Sequence, residues 1–132
     1  MSNPLLVKLP SFEQFEKIIL GLSQEQLKAL ASATEHVNHT RGPVTYHNAW
    51  EEADAQTFGV KDPNYHLVQA IRRLALDQAE RVARGNNALT LALYNVAEGI
   101  ADLILIRDAE RPISDLAIET ILEPWEIAKL PL

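Results

Sequence analysis

Apolar residues recur along this chain every three or four positions, which is the period of an amphipathic α-helix. The segments with this period are separated by Gly, Pro, Ser or Asn. No segment alternates apolar and polar residues with the β-branched enrichment that is typical of a strand. The pattern therefore predicts an all-α fold.

Two capping boxes predict where the first two helices begin. Ser11 is followed three residues later by Gln14, and Ser23 by Gln26. In each box the two side chains satisfy each other's free backbone N–H groups. Gly21 is predicted to end the first helix. The apolar stripes that follow the caps are Phe12, Phe15, Ile19 and Leu22, then Leu27, Leu30, Ala31, Thr34 and Val37.

A loop is predicted over residues 39–44, because they include the pair Gly42-Pro43. A third, shorter helix is then expected over residues 46–57, with Gly59 ending it. We expect Trp50 to be largely buried, because it shares one side of this helix with other apolar residues. These residues are Tyr46, Ala49, Trp50 and Ala53.

Two long helices follow, and we expect them to form the centre of the fold. Asp62-Pro63 predicts the start of a fourth helix that runs to about residue 84, because a carboxylate cap precedes a residue that has no N–H to lose. Asn87 is predicted to cap a fifth helix that reaches about residue 108. The link around Gly85 is so short that the two helices must form an antiparallel hairpin. The predicted inward residues of the fourth helix are Leu67, Ile71, Leu74 and Ala75.

A sixth helix is predicted after Ser114, and Pro124 either ends it or restarts a last turn. Its expected apolar side is Leu116, Ala117, Ile121 and Leu122. The predicted architecture is thus a single domain over residues 1–132, a bundle of five to six helices around the hairpin. Residues 1–10 are expected to be a flexible or docking segment, and the apolar end, residues 130–132, is expected to dock on the body.

Composition and charge exclude several kinds of site. The 132 residues contain no Cys, which excludes disulfides, thiolate zinc sites and a cysteine nucleophile. The formal net charge of −6 and the lack of a basic recognition helix argue against nucleic acid as a partner. The apolar run over residues 89–106 contains Glu98 and Asp102, which argues against a membrane span. We therefore expect a cytoplasmic protein.

The strongest chemical candidate is a polar stripe on the fifth predicted helix. Asn95, Glu98 and Asp102 fall within about 60° of one another on that helix, whose other positions are mostly apolar. Three interpretations stay open: oxygen ligands for Mg²⁺ or Mn²⁺, two carboxyls that share a proton, or the narrow exposed face of a packed helix.

The acidic stripe is similar to the acidic pairs that all-helical nucleotide pyrophosphatases place on their helices. Those clusters repeat the acidic ligands on a second helix. The fourth predicted helix offers only Asp77 and Glu80 for that purpose, and both lie beside arginines. The resemblance is therefore an analogy between sites, which depends on whether another acidic helix faces the stripe.

Two histidine-containing groups are further metal candidates. His47, Glu51 and Asp54 are spaced to lie on one side of the third helix, where they would form a zinc or iron ligand set or a solvated face. His36 and His39 are three residues apart, but His39 also suits a helix C-terminus, where its charge interacts well with the helix dipole.

Arginines cluster on the hairpin, where they would bind a phosphate or an acidic partner, or form a surface laced with ion pairs. They are Arg72, Arg73, Arg81, Arg84, Arg107 and Arg111. The acidic partners predicted one helical turn away give the pairs Arg73–Asp77, Asp77–Arg81 and Glu80–Arg84.

Two functional hypotheses follow from these features. The first is a non-enzymatic interaction or regulatory module without a cofactor, which forms a homodimer or binds another protein. The second is a metal-dependent hydrolase, similar to nucleotide pyrophosphatases, that uses Glu98 and Asp102 with Mg²⁺ or Mn²⁺ and with His47, Glu51 and Asp54 as contributors. The sequence has no glycine-rich phosphate loop and no Gly-x-Ser-x-Gly motif, and this lack of a converging mechanism favours the first hypothesis.

Overall fold

The chain folds into an all-α bundle, as the periodicity predicts. The computed structural model describes residues 4–58 and 65–132, and these ranges contain seven helices and no strand. The helices are α1 (Pro4–Val7), α2 (Phe12–Gly21), α3 (Gln24–Arg41), α4 (Pro43–Phe58), α5 (Tyr65–Ala83), α6 (Asn87–Asp108) and α7 (Asp115–Ile127).

The predicted hairpin is α5 and α6, and α6 is the central helix of the bundle. Gly85 takes a φ of 92° in the link between them, as a left-handed residue after a helix should. α6 packs against each of the other six helices. Every residue from 100 to 106 is buried, so the C-terminal half of α6 is covered on all sides within one chain.

Local capping explains where the helices begin. Both predicted capping boxes form. The Oγ of Ser11 and of Ser23 accepts from the backbone N of the Gln three residues later, and the backbone N of each Ser donates to Oε1 of that Gln. Ser114 accepts a hydrogen bond from Ala117 N and caps α7. The cap of α6 was predicted one residue too late, because the helix starts at Asn87 and it is the carbonyl of Asn86 that accepts from Thr90 N at 3.0 Å.

The loop predicted over residues 39–44 is wrong. α3 continues to Arg41 and α4 begins at Pro43, so only Gly42 separates the two helices. Gly42 has a φ of 86°, which an L-residue rarely adopts, and a proline suits the first position of a helix because it has no N–H to satisfy there. The predicted helix end at Gly59 and start at Asp62-Pro63 lie outside the described residues.

Side chains that join distant elements fix α7 and the first segment on the bundle. Glu52 of α4 accepts from Ser114 N at 3.1 Å and from Ser114 Oγ at 2.6 Å, and Arg41 of α3 pairs with Glu123 of α7 at 2.5 Å. The predicted N-terminal segment contains the short helix α1, and its Leu6 and Leu9 are buried. Leu130 and Leu132 pack against the core, so the apolar end docks as predicted.

Most predicted apolar stripes are buried, with four exceptions. The stripes of α2 and α3 are buried at every predicted position. Leu67 and Leu116, predicted to face inward, are 47% and 52% exposed, because the inward side of each helix includes the next residue, Val68 or Ala117. Leu74 is partly buried. Trp50 is only partly buried, because one side of its ring borders a cavity.

The expectation about membranes agrees with the structure at the level of helices. Among the described residues, none of the helices has the length and apolarity that a membrane crossing requires.

Candidate functional site

Three carboxylates from two helices meet near the middle of the bundle. Asp54 lies on α4, and Glu98 and Asp102 lie one turn apart on α6. One oxygen of each side chain lies within 4.8 Å of the other two. Among the described residues this is the one place where three or more acidic or histidine ligands come this close. We call these three residues the acidic centre.

Arg72 of α5 lies against the acidic centre and balances part of its charge. Its Nε lies 2.9 Å from Glu98 Oε1, and its Nη2 donates to Asp102 Oδ1 at 3.1 Å. The antiparallel hairpin brings the two helices together at this level, since Arg72 and Glu98 are each thirteen residues from Gly85. The Arg72 side chain is only 8% exposed, so it is a buried charge.

The acidic centre is shielded from water, so the interpretation of the stripe as an exposed helix face is wrong. Asp102 is 0% exposed, and the Glu98 side chain is 16% exposed. While both carboxyls are ionised, Asp54 Oδ1 and Asp102 Oδ2 are buried and receive no hydrogen bond from a donor in the described part of the chain. Buried carboxylate oxygens without a donor are unfavourable, which favours a protonated Asp102 that donates to Asp54.

Burial raises the pKa of two carboxyls of the acidic centre, those of Glu98 and Asp102. Burial is the main reason why the pKa of Asp102 rises from its usual 3.8 to about 9, and the hydrogen bond between its carboxyl and that of Asp54 raises this pKa further, while Arg72 lowers it. Burial also raises the pKa of Glu98. Without a bound cation, Asp102 therefore keeps its proton at neutral pH.

Stability should carry the signature of this proton. The folded state keeps a proton on Asp102 that the unfolded state releases, so the contribution of Asp102 is fully present below about pH 4 and is lost as the pH rises towards 9. We expect Asp102→Asn, which is neutral at every pH, to be as stable as the native protein below about pH 4 and increasingly more stable as the pH rises to 9. Urea denaturation across this range measures the difference. The exposed control Asp77→Asn should leave the pH dependence of the unfolding free energy unchanged. If Asp102→Asn also left it unchanged, a proton held by Asp102 in the native protein would be contradicted.

The predicted ligand set His47, Glu51 and Asp54 does not form. His47 Nε2 and Glu51 Oε1 make an exposed pair at 2.8 Å, whereas Asp54 belongs to the acidic centre. His47 and Asp54 do share one edge of α4, but that edge borders a cavity at His47 and meets α6 two turns later at Asp54. Helical spacing therefore placed the residues correctly on α4 and could not show which neighbour each one meets.

The other histidine pair is exposed, and two of the predicted arginines have ordinary structural partners. His36 Nε2 lies 3.5 Å from Thr40 Oγ1, and both histidines, His36 and His39, are exposed. Arg107 donates to the carbonyls of Leu9 and Pro10, and Arg111 donates to that of Gln56.

The predicted arginines of the hairpin do not form one basic cluster. Arg107 lies nine residues farther from Gly85 than Arg72 does, about 13 Å along the helix axes. The predicted helical pairs of Arg73, Arg81 and Arg84 are not among the ion pairs of the described residues either.

Sequence reasoning missed the pairing of Arg72 with Glu98 and the arrival of Asp54 opposite the stripe. The first had a usable signal, because equal distances from the hairpin turn place residues side by side. The second had none, because nothing in the spacing of α4 specifies its packing against α6.

Comparison of the chain with protein-family models, with curated proteins and with solved structures finds no match. The candidate function consequently depends on the geometry of the acidic centre and its surroundings.

Proposed function

We propose that this protein binds a divalent cation, Mg²⁺ or Mn²⁺, at the acidic centre and hydrolyses a phosphate ester or anhydride there. The observation that carries the proposal is the convergence of Asp54, Glu98 and Asp102 on one point, with an oxygen of each within 4.8 Å of the others. The clusters of helical nucleotide pyrophosphatases repeat their acidic ligands on a second helix. Asp54 of α4 supplies an acidic group from a second helix here.

The charges support a cation of this kind. Three ionised carboxylates and one guanidinium leave two negative charges in a site where Asp102 is fully buried. A divalent cation makes this sum zero, whereas a single proton leaves one negative charge. Carboxylate oxygens are the ligands that Mg²⁺ and Mn²⁺ prefer.

A polar cavity beside Arg72 has room for the phosphate group of a substrate. It has a volume of about 680 Å³ and is lined by Arg72 together with Arg73, His66 and Tyr94. Arg72 thus borders both the cavity and the acidic centre. Cationic side chains next to a carboxylate-bound metal are the usual means of binding phosphate oxygens.

The proposed reaction is attack of water on phosphorus. The cation, when bound, would neutralise charge on the phosphate oxygens. A new O–P bond forms, the bond between phosphorus and the leaving oxygen breaks, and that oxygen keeps the electron pair. Asp54, which is less buried than Asp102, takes one proton from the attacking water and then releases it to solvent.

The test is the effect of metal on stability and on phosphate release. We expect Mn²⁺ at millimolar concentration to raise the melting temperature of the native protein, because it binds only the folded state. Asp102→Asn should have equal or higher stability without metal, since the amide is neutral in this buried site without taking up a proton. It should lose both the metal-induced shift and hydrolysis. Thermal unfolding and a phosphate-release assay measure these effects.

Glu119→Gln, an exposed position on α7, is the control and should keep both responses. An equal metal-induced shift in Asp102→Asn, or no shift in the native protein, would overturn the cation site. A normal shift without release of phosphate from any ester or anhydride would overturn the hydrolase.

The second candidate function is the interaction module that the sequence favours, in the form of a homodimer. Leu91 of α6 is 58% exposed and is flanked by exposed Ala88, so the N-terminal half of this helix has an uncovered apolar side. Light scattering at micromolar concentration should then return twice the mass of one chain, and Leu91→Glu should return the mass of one. A native protein with the mass of one chain would exclude the dimer.

A further inference from the structure

Arg72 lies between the acidic centre and the polar cavity. Its nitrogens lie 2.9 Å from Glu98 Oε1 and 3.1 Å from Asp102 Oδ1, and the same side chain lines the cavity. None of the three carboxylates is among the described residues that line the cavity. We propose that Arg72 couples the two places, so that a tetrahedral oxyanion such as phosphate binds the polar cavity more tightly once a divalent cation occupies the acidic centre. This coupling rests on the proposed function, because it requires the cation site.

The polar cavity contains the donors that an oxyanion needs. His66, Gln69 and Arg73 line it from one side of α5, since they follow one another at intervals of three and four residues. Arg72 adjoins them, and Tyr94 of α6 adds a hydroxyl. Arg73 is exposed and is not among the ion pairs of the described residues. Guanidinium groups bind phosphate oxygens with strong, charge-assisted hydrogen bonds.

The charges around the polar cavity disfavour an oxyanion while the acidic centre is without a cation. Glu16 and Asp77 also line the cavity, where their negative charges oppose those of the arginines. The carboxylates of the acidic centre already balance the charge of Arg72. The cavity is then left with the one positive charge of Arg73 against two negative charges, so it repels an anion.

A divalent cation in the acidic centre changes this balance. Its charge neutralises the carboxylates that Arg72 otherwise balances, so the guanidinium becomes available to an anion in the cavity. The Arg72 side chain is only 8% exposed, and water therefore screens its charge little. It already lines the cavity, so it can contact the anion from its present position. The two ligands consequently bind in a preferred order, with the cation first.

Two sources supply an oxyanion of this kind, free phosphate and the phosphate group of an ester. Both present the same oxygens to the arginines, so the cavity recognises the chemistry that they share. Methylphosphonate, whose C–P bond water does not cleave, stands for the ester in a binding experiment. Tighter binding of inorganic phosphate would identify a product or regulatory site, and tighter binding of methylphosphonate would identify the site of a substrate.

The test is calorimetric titration of inorganic phosphate with and without saturating Mg²⁺. We expect Mg²⁺ to lower the Kd of phosphate at least about fivefold, and phosphate to lower the Kd of Mg²⁺ by the same factor, because coupling between two sites is reciprocal. Arg73→Met should lose most of the phosphate binding and keep the Mg²⁺ affinity measured without phosphate, since it is Arg72 that pairs with the acidic centre. Arg72→Met, studied in saturating Mg²⁺, should bind phosphate at least about fivefold more weakly than the native protein does.

Arg81→Met, an exposed arginine about two turns farther along α5, is the matched control and should keep phosphate binding and the coupling. Equal Kd values of phosphate with and without Mg²⁺ would overturn the coupling and leave the cation site intact. Native phosphate binding by Arg73→Met or Arg72→Met in Mg²⁺ would show that phosphate contacts the cation instead of the arginines, which would also overturn the coupling. No binding of Mg²⁺ by the native protein would overturn the cation site itself, and the coupling with it.

Discussion

Arg72→Met should lower the free energy of unfolding by about 3–5 kcal/mol at neutral pH, which is the typical cost of removing one partner from a buried ion pair. The methionine fills similar space, but Glu98 and Asp102 lose the guanidinium that lies 2.9 Å and 3.1 Å from them. Three carboxyl groups then share a site without a compensating charge. Urea denaturation of the two proteins measures the difference.

The cause of this loss can be separated from a simple packing defect. Since Arg72 lowers the pKa of Glu98, its removal should raise that pKa, and acid should then restore stability by protonating Glu98. Asp102 already keeps its proton at neutral pH. We expect the deficit of Arg72→Met to shrink at pH 5 and also with added Mn²⁺. Arg73→Met, the exposed neighbour, should stay within about 0.5 kcal/mol of the native protein. A deficit that neither acid nor metal changes would show that Arg72 acts through packing alone.

Trp125→Ala should lower the free energy of unfolding by about 3–5 kcal/mol, as large aromatic truncations in a core do. Trp125 is 1% exposed, and its ring meets the edge of Phe15 with centroids 5.8 Å apart. It therefore joins α7 to α2, which the alanine would separate by a cavity. Chemical denaturation gives the value.

Two other replacements calibrate this result. Trp125→Phe keeps most of the packing and removes the indole N–H, which has no hydrogen-bond partner among the described residues, so it should cost about 1.5 kcal/mol or less. Trp50→Ala should cost less than Trp125→Ala, because Trp50 is only partly buried. A greater loss of unfolding free energy in Trp50→Ala would mean that the packing of Trp50 against Gly99 of α6 stabilises the fold more than the packing of Trp125 does.

Local features of this fold were predictable from the sequence, because they depend on residues three or four positions apart. Ser11, Ser23 and Ser114 cap helices for reasons contained within their own first turns. The hairpin was predictable because the link around Gly85 is too short for any other geometry. Gly42 was misjudged because a single left-handed residue can replace a whole loop.

The acidic centre was only half predictable for a physical reason. Glu98 and Asp102 stand out as charges on an otherwise apolar helix, so the sequence could identify them. Their environment depends on Asp54 and Arg72, which come from helices whose orientation is decided by packing across the bundle. The same residues on a bundle packed differently would lie in water with ordinary pKa values.

The position of α6 has a consequence for how the acidic centre is assembled. α6 contacts every other helix, so none of the others can leave without exposing part of it. Two of the three carboxylates lie on α6, while the third and the arginine arrive only when α4 and α5 dock on it. The proposed cation site is therefore complete only when these helices have docked, and a bound ion would link α4 to α6 and slow unfolding.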